Sequence, residues 1–344
     1  MKKKILIFGS GSIGTHHANA AISLNYDVFI TDRKDSQLNN MRENLYPERY
    51  GKWNDKIKCV PYNVVFGLKY NFDLVIIGVP PASHLDLIKL CKKNIKFKKI
   101  LVEKPLCAYN QNFNFLKKNF LKNKIFCGFN HSISKSILYF LSNLKKTLNK
   151  NKSKVEINIE WKESFNLVLK AHPWIKSLNN SYLSNYKIGG GVCQEYSHAI
   201  HFFVILKEFL FKSNTCSFKK KINFKKVGKF KYDKSATLTY FDKSKKLNLF
   251  LNSINNPPIK KIIEKVKEKE ILKWERILEK KREVFNMDLS TKKHINFPIT
   301  RREDFINEIN LLVNKKNTKN LNYLKLNYAI KVNLLLRRIF KDYV

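Results

Sequence analysis

Residues 5–14 read ILIFGSGSIG, an apolar run that enters a G-x-G-x-x-G turn. A continuous apolar run is typical of a strand buried in a parallel sheet. Residues 12–24 are compatible with a helix, and a second apolar strand at residues 28–30 ends at Asp32. A strand, glycine turn, helix and strand closed by an acid form the context in which such a turn binds a dinucleotide.

The turn residues have distinct predicted tasks. Gly9 makes the tight turn, and Gly14 lets the helix pack closely on the strand. Gly11 lets the backbone N–H groups of Ser12 and Ile13 meet a pyrophosphate at the helix N-terminus. The sequence therefore predicts a phosphate site made of backbone.

Asp32 lies 21 residues after Gly11, where its carboxylate can accept hydrogen bonds from the adenosine ribose hydroxyls. A structural turn in another doubly wound sheet would leave this acid unexplained. Its charge would repel a 2′-phosphate, which favours NAD. Arg33 could hold that phosphate instead, so NADP remains an alternative.

The following chain alternates apolar runs with helix-compatible segments. The runs are residues 73–79, 99–102 and 125–128, and the helical segments are residues 83–93 and 110–121. This alternation predicts an α/β fold with a doubly wound parallel sheet. Ligands bind beyond the carboxyl ends of such strands. The residues expected there are Gly9, Asp32, Pro80, Glu103, Lys104, Asn130 and His131.

Lys104 is the candidate catalytic group at this edge. An ordinary Lys has a pKa of about 10.4, but desolvation and a positive nicotinamide ring would both lower it. Lys104 could then accept a proton near neutral pH. The competing interpretation is one more surface lysine in a chain with 67 basic residues. The position of Lys104 after a buried strand favours catalysis.

Together these motifs resemble the Gfo/Idh/MocA family of NAD(P)-dependent oxidoreductases, nearest to a surface-glycan and nucleotide-sugar branch. The matching segments are residues 9–14 with His17, 79–81 with His84, 103–105, 128–130 and 189–198. The resemblance implies a Rossmann domain at residues 1–128. It also implies an α/β substrate and oligomerisation domain at residues 129–344, with a large open, mostly antiparallel sheet and closing helices at 301–344. It adds cofactor contacts by Pro80, His84, Glu103 and Asn130.

The resemblance further implies that Lys104 is the catalytic acid/base and that His198 shares this role. In the branch, the helix after the triple glycine has the pattern Asp-x-Ser-His-Glu-Ile-Asp, whereas residues 195–201 here read EYSHAIH. Glu195 and His198 stand at i and i+3, so we expect the carboxylate to orient the imidazole. The alternative for His198 is a buried structural histidine. For His131 and His201 a structural role is the preferred interpretation.

The substrate residues are less well defined. In the family an Arg usually follows the motif Asn, which is Asn130 here, and His131 stands in its place. This chain therefore lacks the arginine that could bind the substrate at this position. Trp174 and Tyr182 could stack on a sugar or base, or they could belong to the core. We predict substrate contacts by Trp174, Tyr182 and Glu195 besides Lys104 and His198.

The net charge of +40 in 344 residues suggests an anionic partner. However, only nine of the 67 basic residues are Arg, the residue that leads in phosphate and base recognition. We therefore interpret the excess as background composition and predict no nucleic-acid partner. Residues 219–234 mix Lys with aromatics, as nucleic-acid binders do, but a Lys-protected sheet edge is the preferred interpretation.

Several properties limit the other possibilities. The six cysteines show no paired spacing, so we predict neither disulfides nor a metal site. The apolar run after residues 2–4 is too short for a signal peptide, and no run reaches 18 residues. We expect a cytoplasmic protein without a membrane span. The open sheet of the resemblance implies a homodimer or homotetramer.

Residues 259–285 allow two interpretations. Their apolar positions fit a helical stripe, whereas the resemblance implies two strands, with residues 271–275 in one of them. We follow the resemblance. The predicted function is hydride transfer to or from a sugar carbon, in a nucleotide sugar or glycan precursor. The alternative is a cofactor-binding scaffold or regulator that has lost catalysis, as the changes at residues 131 and 195–201 suggest.

Overall fold

The computed structural model describes residues 2–117, 124–150, 153–170, 177–211, 216–277, 279–287, 294–314 and 320–343. The chain divides into two compact units. The first comprises Met1–Cys107, Gln111–Asn130 and Arg301–Ile330, and the second comprises Ala108–Asn110, His131–Thr300 and Lys331–Val344.

The first unit contains a six-stranded sheet. Its strands are β1 Lys4–Phe8, β2 Asp27–Thr31, β3 Ile57–Cys59, β4 Asn71–Ile77, β5 Lys96–Val102 and β6 Ile125–Cys127. The strand order is β3-β2-β1-β4-β5-β6, and every neighbouring pair is parallel. The central strand β1 is apolar and fully buried at Ile5, Leu6 and Ile7, as the uninterrupted apolar run predicted.

Helices connect these strands. They are α1 Ser12–Ser23, α2 Asp35–Asn40, α3 Tyr46–Tyr50, α4 Tyr62–Val65 and α5 His84–Asn94. The buried alanines of α1, at positions 18, 20 and 21, give this helix a flat, closely packed face. In the predicted helix at residues 110–121, the structure has a short 3₁₀ turn at Asn114–Lys117. Residues 118–121 lie outside the described part.

The second unit contains an eight-stranded sheet. Its strands are β7 Val155–Lys162, β8 Ser217–Val227, β9 Phe230–Phe241, β10 Lys245–Asn252, β11 Ile259–Val266, β12 Lys269–Ile277, β13 Arg282–Met287 and β14 His294–Pro298. The order is β14-β13-β12-β11-β7-β10-β9-β8. Only the β7–β10 pair is parallel among these pairings. The fold class is therefore α/β, with a parallel Rossmann sheet and a mostly antiparallel second sheet.

Four α-helices of the second unit lie between residues 135 and 210 in the described part of the chain. They are α6 Lys135–Lys150, α7 Phe165–Lys170, α8 Val192–Glu195 and α9 Ser197–Leu210. Along β7 buried and partly exposed residues alternate, so one sheet face is covered and the other faces outward. In the described part of the chain, no helix has the length and apolar character that a membrane crossing needs.

The last two helices are α10 Arg301–Asn314 and α11 Leu326–Phe340. The contact-based units differ here from the predicted boundaries, which assigned residues 301–344 to the second domain. Arg301–Ile330 belongs to the first unit, because α10 packs against α1 and β4. Only the end of the chain, Lys331–Val344, belongs to the second unit.

Two ambiguous segments are strands. Residues 259–285 form β11, β12 and the start of β13, so the interpretation taken from the resemblance is confirmed and the helical stripe is wrong. Residues 219–234 lie in β8 and β9, and β8 is an edge strand of the eight-stranded sheet. This agrees with the interpretation of the lysine run as sheet-edge protection.

Candidate active site

A row of backbone hydrogen bonds aligns the carboxyl ends of the first sheet. Gly9 N donates to Thr31 O at 2.8 Å, and Gly78 N donates to Phe8 O at 2.8 Å. Farther along the row, Glu103 N donates to Ile77 O at 3.0 Å and Gly128 N to Val102 O at 2.8 Å. The predicted residues that follow these ends therefore share one edge of the sheet: Gly9, Asp32, Pro80, Glu103, Lys104 and Asn130.

The glycine turn has the predicted geometry. Gly9 has a φ of +101°, and a Cβ there would lie 2.6 Å from Gly78 O. A Cβ on Gly14 would lie 1.8 Å from Gly9 O, so the start of α1 needs glycine for close packing. A Cβ on Gly11 would meet nothing within 4 Å. The open space at Gly11 fits a ligand that approaches the backbone.

The N-terminus of α1 offers an anion site. Its N-cap, Gly11, makes no side-chain cap, and its first turn, which contains Ser12 and Ile13, has no acidic residue. Uncapped N–H groups and the positive end of the helix dipole attract phosphate. Arg49, which the sequence analysis missed, donates to Ser12 Oγ at 2.7 Å. This side chain brings a positive charge to the same turn from a helix 37 residues away.

Asp32 is fixed at the end of β2. Its Oδ2 accepts hydrogen bonds from Ser10 N at 2.9 Å and Ser10 Oγ at 3.1 Å, and its Oδ1 accepts one from Lys34 N at 3.3 Å. The carboxylate is thereby tied to the glycine turn, where the ribose of a dinucleotide would lie. The neighbouring Arg33 is exposed, and its guanidinium stands 6.0 Å from the ring centroid of Tyr62.

His84 is a buried connection between two turns. Its Nε2 lies 2.7 Å from Val79 O, and its Nδ1 lies 3.1 Å from Pro105 O and 3.2 Å from Leu106 O. Burial lowers its pKa. His84 thus joins the turn at Pro80 to the turn that carries Lys104, and its ring nitrogens are engaged with backbone.

Glu103 is buried beneath Lys104. His17 Nε2 donates to Glu103 Oε1 at 2.6 Å, and Lys104 N donates to Glu103 Oε2 at 3.3 Å. Burial raises the pKa of Glu103, but the hydrogen bond from His17 and the adjacent charges outweigh it and leave the pKa below its usual value. Glu103 therefore stays ionised and orients the turn at Lys104, whose side chain is partly exposed.

Asn130 ends the row with an orphaned acceptor. Its side chain is 8% exposed, and its Oδ1 has no hydrogen-bond partner among the described residues. Buried polar atoms are normally paired. The open Gly11 turn, the uncapped α1, Asp32 and this amide form a donor and acceptor set that fits a dinucleotide.

The triple glycine of the second unit has a packing role. Gly191 has a φ of +81°, and a Cβ there would lie 1.6 Å from Asp233 Oδ1. A Cβ on Gly190 would lie 2.2 Å from Tyr182 O. Asp233 Oδ2 accepts a hydrogen bond from Cys193 N at 2.8 Å. The glycines therefore let the start of α8 lie directly against β9.

The expected helix at residues 195–201 is broken. α8 ends at Glu195 and α9 begins at Ser197, because Tyr196 has non-helical angles of φ −91° and ψ 36°. The i to i+3 argument for Glu195 and His198 is therefore wrong. Glu195 Oε2 instead accepts a hydrogen bond from Tyr182 Oη at 2.7 Å. Burial and this carboxylate raise the pKa of Tyr182, which keeps the phenol protonated.

His198 lies in an aromatic and basic cluster of the second unit. Its ring stacks on Trp161, with centroids 6.3 Å apart, and meets His131 edge-on at 4.2 Å. Arg276 Nη1 contacts His131 Nδ1 and also pairs with Glu283 Oε1 at 3.1 Å. A guanidinium can only donate, so His131 Nδ1 accepts and its proton lies on Nε2.

His131 contacts a candidate catalytic residue. We preferred a structural role for His131, yet its ring touches the candidate catalytic His198. A buried guanidinium, that of Arg276, contacts the His131 ring from 145 residues later in the chain. Sequence reasoning had no signal for Arg276, since the contact depends on the register of β12. Trp174 lies outside the described residues.

Comparisons with known proteins agree with this geometry. Residues 3–131 match the model of GFO_IDH_MocA, an oxidoreductase family with an NAD-binding Rossmann fold. No curated protein matches the chain.

Solved structures resemble the chain over nearly its whole length. UDP-N-acetylglucosamine 3-dehydrogenase GnnA from Acidithiobacillus ferrooxidans has 10% identity and a TM-score of 0.65, with 98% of this chain and 97% of that chain covered. Levoglucosan dehydrogenase in complex with NADH and levoglucosan has 12% identity and a TM-score of 0.70, covering 99% and 97%. A myo-inositol dehydrogenase from Corynebacterium glutamicum has 15% identity and a TM-score of 0.65, covering 99% and 96%. At these identities the likeness shows the fold.

Proposed function

We propose, from the match of residues 3–131 to the model of an oxidoreductase family with an NAD-binding Rossmann fold, that this chain is a cytoplasmic dehydrogenase or reductase of sugars. Its substrate is a nucleotide sugar or another glycan precursor for surface polysaccharide. The observation that carries the proposal is Lys104, which follows β5 at the edge where Gly9, Asp32 and Asn130 also lie. Three similar structures are named as dehydrogenases of UDP-N-acetylglucosamine, levoglucosan and myo-inositol, and these names support a sugar or polyol as substrate.

The chemistry divides between cofactor and protein. NAD, held by the glycine turn and Asp32, would supply the hydride acceptor for oxidation of the sugar carbon and, as NADH, the hydride donor for reduction. Lys104 Nζ takes the hydroxyl proton in the first direction and gives it back in the second. Glu103 orients the Lys104 turn through its bond to Lys104 N. His198 is proposed as the second proton carrier, and Trp174, Tyr182 and Glu195 as substrate contacts.

The proposed cofactor residues are Gly9, Gly11, Ser12, Ile13, Gly14, Asp32, Arg33, Pro80, His84, Glu103 and Asn130. In this set, Asp32 favours NAD, since its carboxylate would meet the 2′-phosphate of NADP. The exposed Arg33 is the group that could reverse this preference. His84 contributes by holding the two turns that bear Pro80 and Lys104.

A fluorescence titration with NADH and NADPH tests the cofactor. We expect NADH to bind about tenfold more tightly, which corresponds to about 1.4 kcal/mol. Arg49→Met is expected to weaken NADH binding because it removes a positive charge from the start of α1. Arg42→Met is the control, since Arg42 is exposed on the preceding helical turn. Failure of both nucleotides to bind below millimolar concentration would overturn the proposal.

A substrate screen tests the reaction. NADH formation is measured with UDP-sugars, free sugars and polyols, and reduction is measured with the matching keto-sugars. Turnover of a nucleotide sugar supports the proposal. Turnover of a free sugar alone would contradict the proposal that the substrate is a glycan precursor. Tight NADH binding without turnover on any of them would support the scaffold or regulator instead.

We also propose a homodimer or homotetramer formed through the outward face of the second sheet. That face carries charges of both signs in contact, such as Lys162 with Glu160 at 2.5 Å and Lys261 with Glu160 at 3.1 Å. A surface with both charges suits self-association better than a uniformly basic one. Sedimentation velocity is expected to show two or four copies, and a monomer at micromolar concentration would contradict this.

A further inference from the structure

Three ionisable side chains form a buried cluster in the first unit. They are His17 of α1, Glu103 after β5 and Glu308 of α10, and their nearest polar atoms all lie within 4.8 Å of one another. Glu308 and His17 have 0% exposure and Glu103 has 7%. Since α10 is far from the other two in sequence, only the return of the chain brings Glu308 to this place.

The carboxylate of Glu308 has no hydrogen-bond donor at either of its oxygens in the described part of the chain. Phe305, one turn earlier on α10, packs edge-on against the His17 ring with centroids 4.7 Å apart, so an aromatic ring covers one side of this buried cluster. An ionised carboxylate cannot stay in such a place without a counter-charge. Either a cation or a proton must neutralise it.

The distances favour a proton. His17 Nε2 and Glu103 Oε1 are 2.6 Å apart, a hydrogen-bond separation. Two ligands of one transition-metal ion, each about 2.1 Å from it, stand about 3 Å apart or more. A cation would therefore have to break the His17–Glu103 bond before Glu308 could share it. Glu103 already has two donors, His17 and Lys104 N, so Glu103 keeps the negative charge and Glu308 takes the proton.

We propose that Glu308 is a neutral carboxylic acid in the folded protein and that it acts as a positioning residue for the turn at Lys104. A second negative charge beside Glu103 would compete for His17 and displace the turn. The protonation stands by itself, whereas the role toward Lys104 rests on the proposed function. Burial and the charge of Glu103 raise the pKa of Glu308 well above its usual value, in agreement with the geometry.

The proton on Glu308 makes the stability of the protein depend on pH. The folded protein keeps the Glu308 proton over a pH range in which the unfolded chain has lost it, so stability falls as pH rises toward the folded pKa. The titratable groups that face Glu308 are His17 of α1, Glu103 after β5, Cys127 of β6 and Asp304 of its own helix, and Lys104 acts on Glu103. Asp233 and Glu264, each with a pKa raised to about 7, add to the same trend. The test therefore compares how the melting temperature changes with pH in the variant and in wild type.

The experiment compares wild type, Glu308→Gln and Glu308→Ala in the full chain. Melting temperatures are measured from about pH 5 to about pH 9. We expect Glu308→Gln to fold and to lose less melting temperature with rising pH than wild type, while Glu308→Ala is destabilised at every pH by the cavity it leaves. Equal pH slopes in wild type and Glu308→Gln would overturn the proposal.

A second measurement keeps the test independent of folding and of turnover. Infrared spectra of protein labelled with ¹³C at the glutamate side-chain carboxyl should show a protonated acid band at neutral pH that Glu308→Gln removes. Absence of that band, or one equivalent of metal by elemental analysis that Glu308→Gln abolishes, would overturn it. If a substrate is found, Glu308→Gln should retain turnover to higher pH than wild type. Should no substrate be found, the infrared and melting results still decide on Glu308.

Discussion

At the scale of single residues, the proposed reaction depends most on Lys104. Lys104→Met should leave the NADH dissociation constant within about threefold of wild type and lower kcat by about 10² to 10⁴, the range for a general acid or base. Steady-state kinetics measure kcat, and a fluorescence titration measures the NADH dissociation constant. Lys96→Met is the matched control, since Lys96 is exposed at the opposite end of the same strand. Full activity of Lys104→Met would end the proposed mechanism.

Arg276 is predicted to set the tautomer of His131. In wild type, Arg276 donates to Nδ1, so ¹⁵N spectra should show His131 neutral with its proton on Nε2. Arg276→Met should release this constraint and also remove the ion-pair partner of the buried Glu283, at a cost of about 3–5 kcal/mol. Lys273→Met, on the outward face of the same strand, is the control. Identical His131 signals in wild type and Arg276→Met would contradict the assignment.

The residues that could be predicted are those whose task depends on local sequence. Gly9, Gly14 and Asp32 have the geometry expected from their spacing, because a strand, a turn and a helix fix their surroundings within a few residues. Arg276 and Glu308 could not be predicted. Their contacts are 145 and more than 200 residues away in the chain, and nothing in the neighbouring sequence distinguishes them from surface charges.

At the scale of secondary-structure elements, the junction of α8 with β9 depends on Gly191. Gly191→Ala must adopt a φ of +81° and place a Cβ 1.6 Å from Asp233 Oδ1. Gly228→Ala has a φ of +56° but meets nothing within 4 Å, so it should cost only about 1–2 kcal/mol. We expect Gly191→Ala to lose about 4 kcal/mol or more in urea unfolding. Equal losses would show that backbone conformation, not the contact with Asp233, matters here.

Element prediction succeeded where the apolar pattern was unambiguous and failed where a tertiary contact interrupts a helical pattern. The buried strands β1, β4 and β5 were evident as apolar runs. At residues 195–201 a helical pattern hid a break at Tyr196, whose hydroxyl donates to Glu163 O at 2.6 Å. Tertiary hydrogen bonding of this kind overrides local helix preference.

At the scale of the whole molecule, the charge of +40 should make stability depend on salt. Exposed ion pairs contribute about 0–1 kcal/mol each, whereas repulsion among the surplus lysines acts over the entire surface. Raising NaCl from about 20 mM to about 300 mM should therefore raise the melting temperature by several degrees. Calorimetry with sucrose at equal osmolality is the control. A fall in melting temperature would mean that the ion pairs dominate.

Domain boundaries were the least predictable feature at this scale. A single cut near residue 128 follows from the end of the alternating strands and helices. The structure instead returns Arg301–Ile330 to the first unit, where Phe305 and Glu308 pack around His17. An amphipathic helix shows which face is buried but not which partner covers it, so composition could not assign α10.

This return of the chain has a consequence for synthesis. Pieces of both units, Arg301–Ile330 and Lys331–Val344, leave the ribosome after all the strands have been made. A nascent chain that has reached residue 300 has all the strands of the described residues, but neither unit is complete. Until Arg301–Ile330 is made, His17 and Glu103 lack the helix that brings Glu308 to them, and a premature stop codon in this stretch removes part of the unit that contains the parallel sheet.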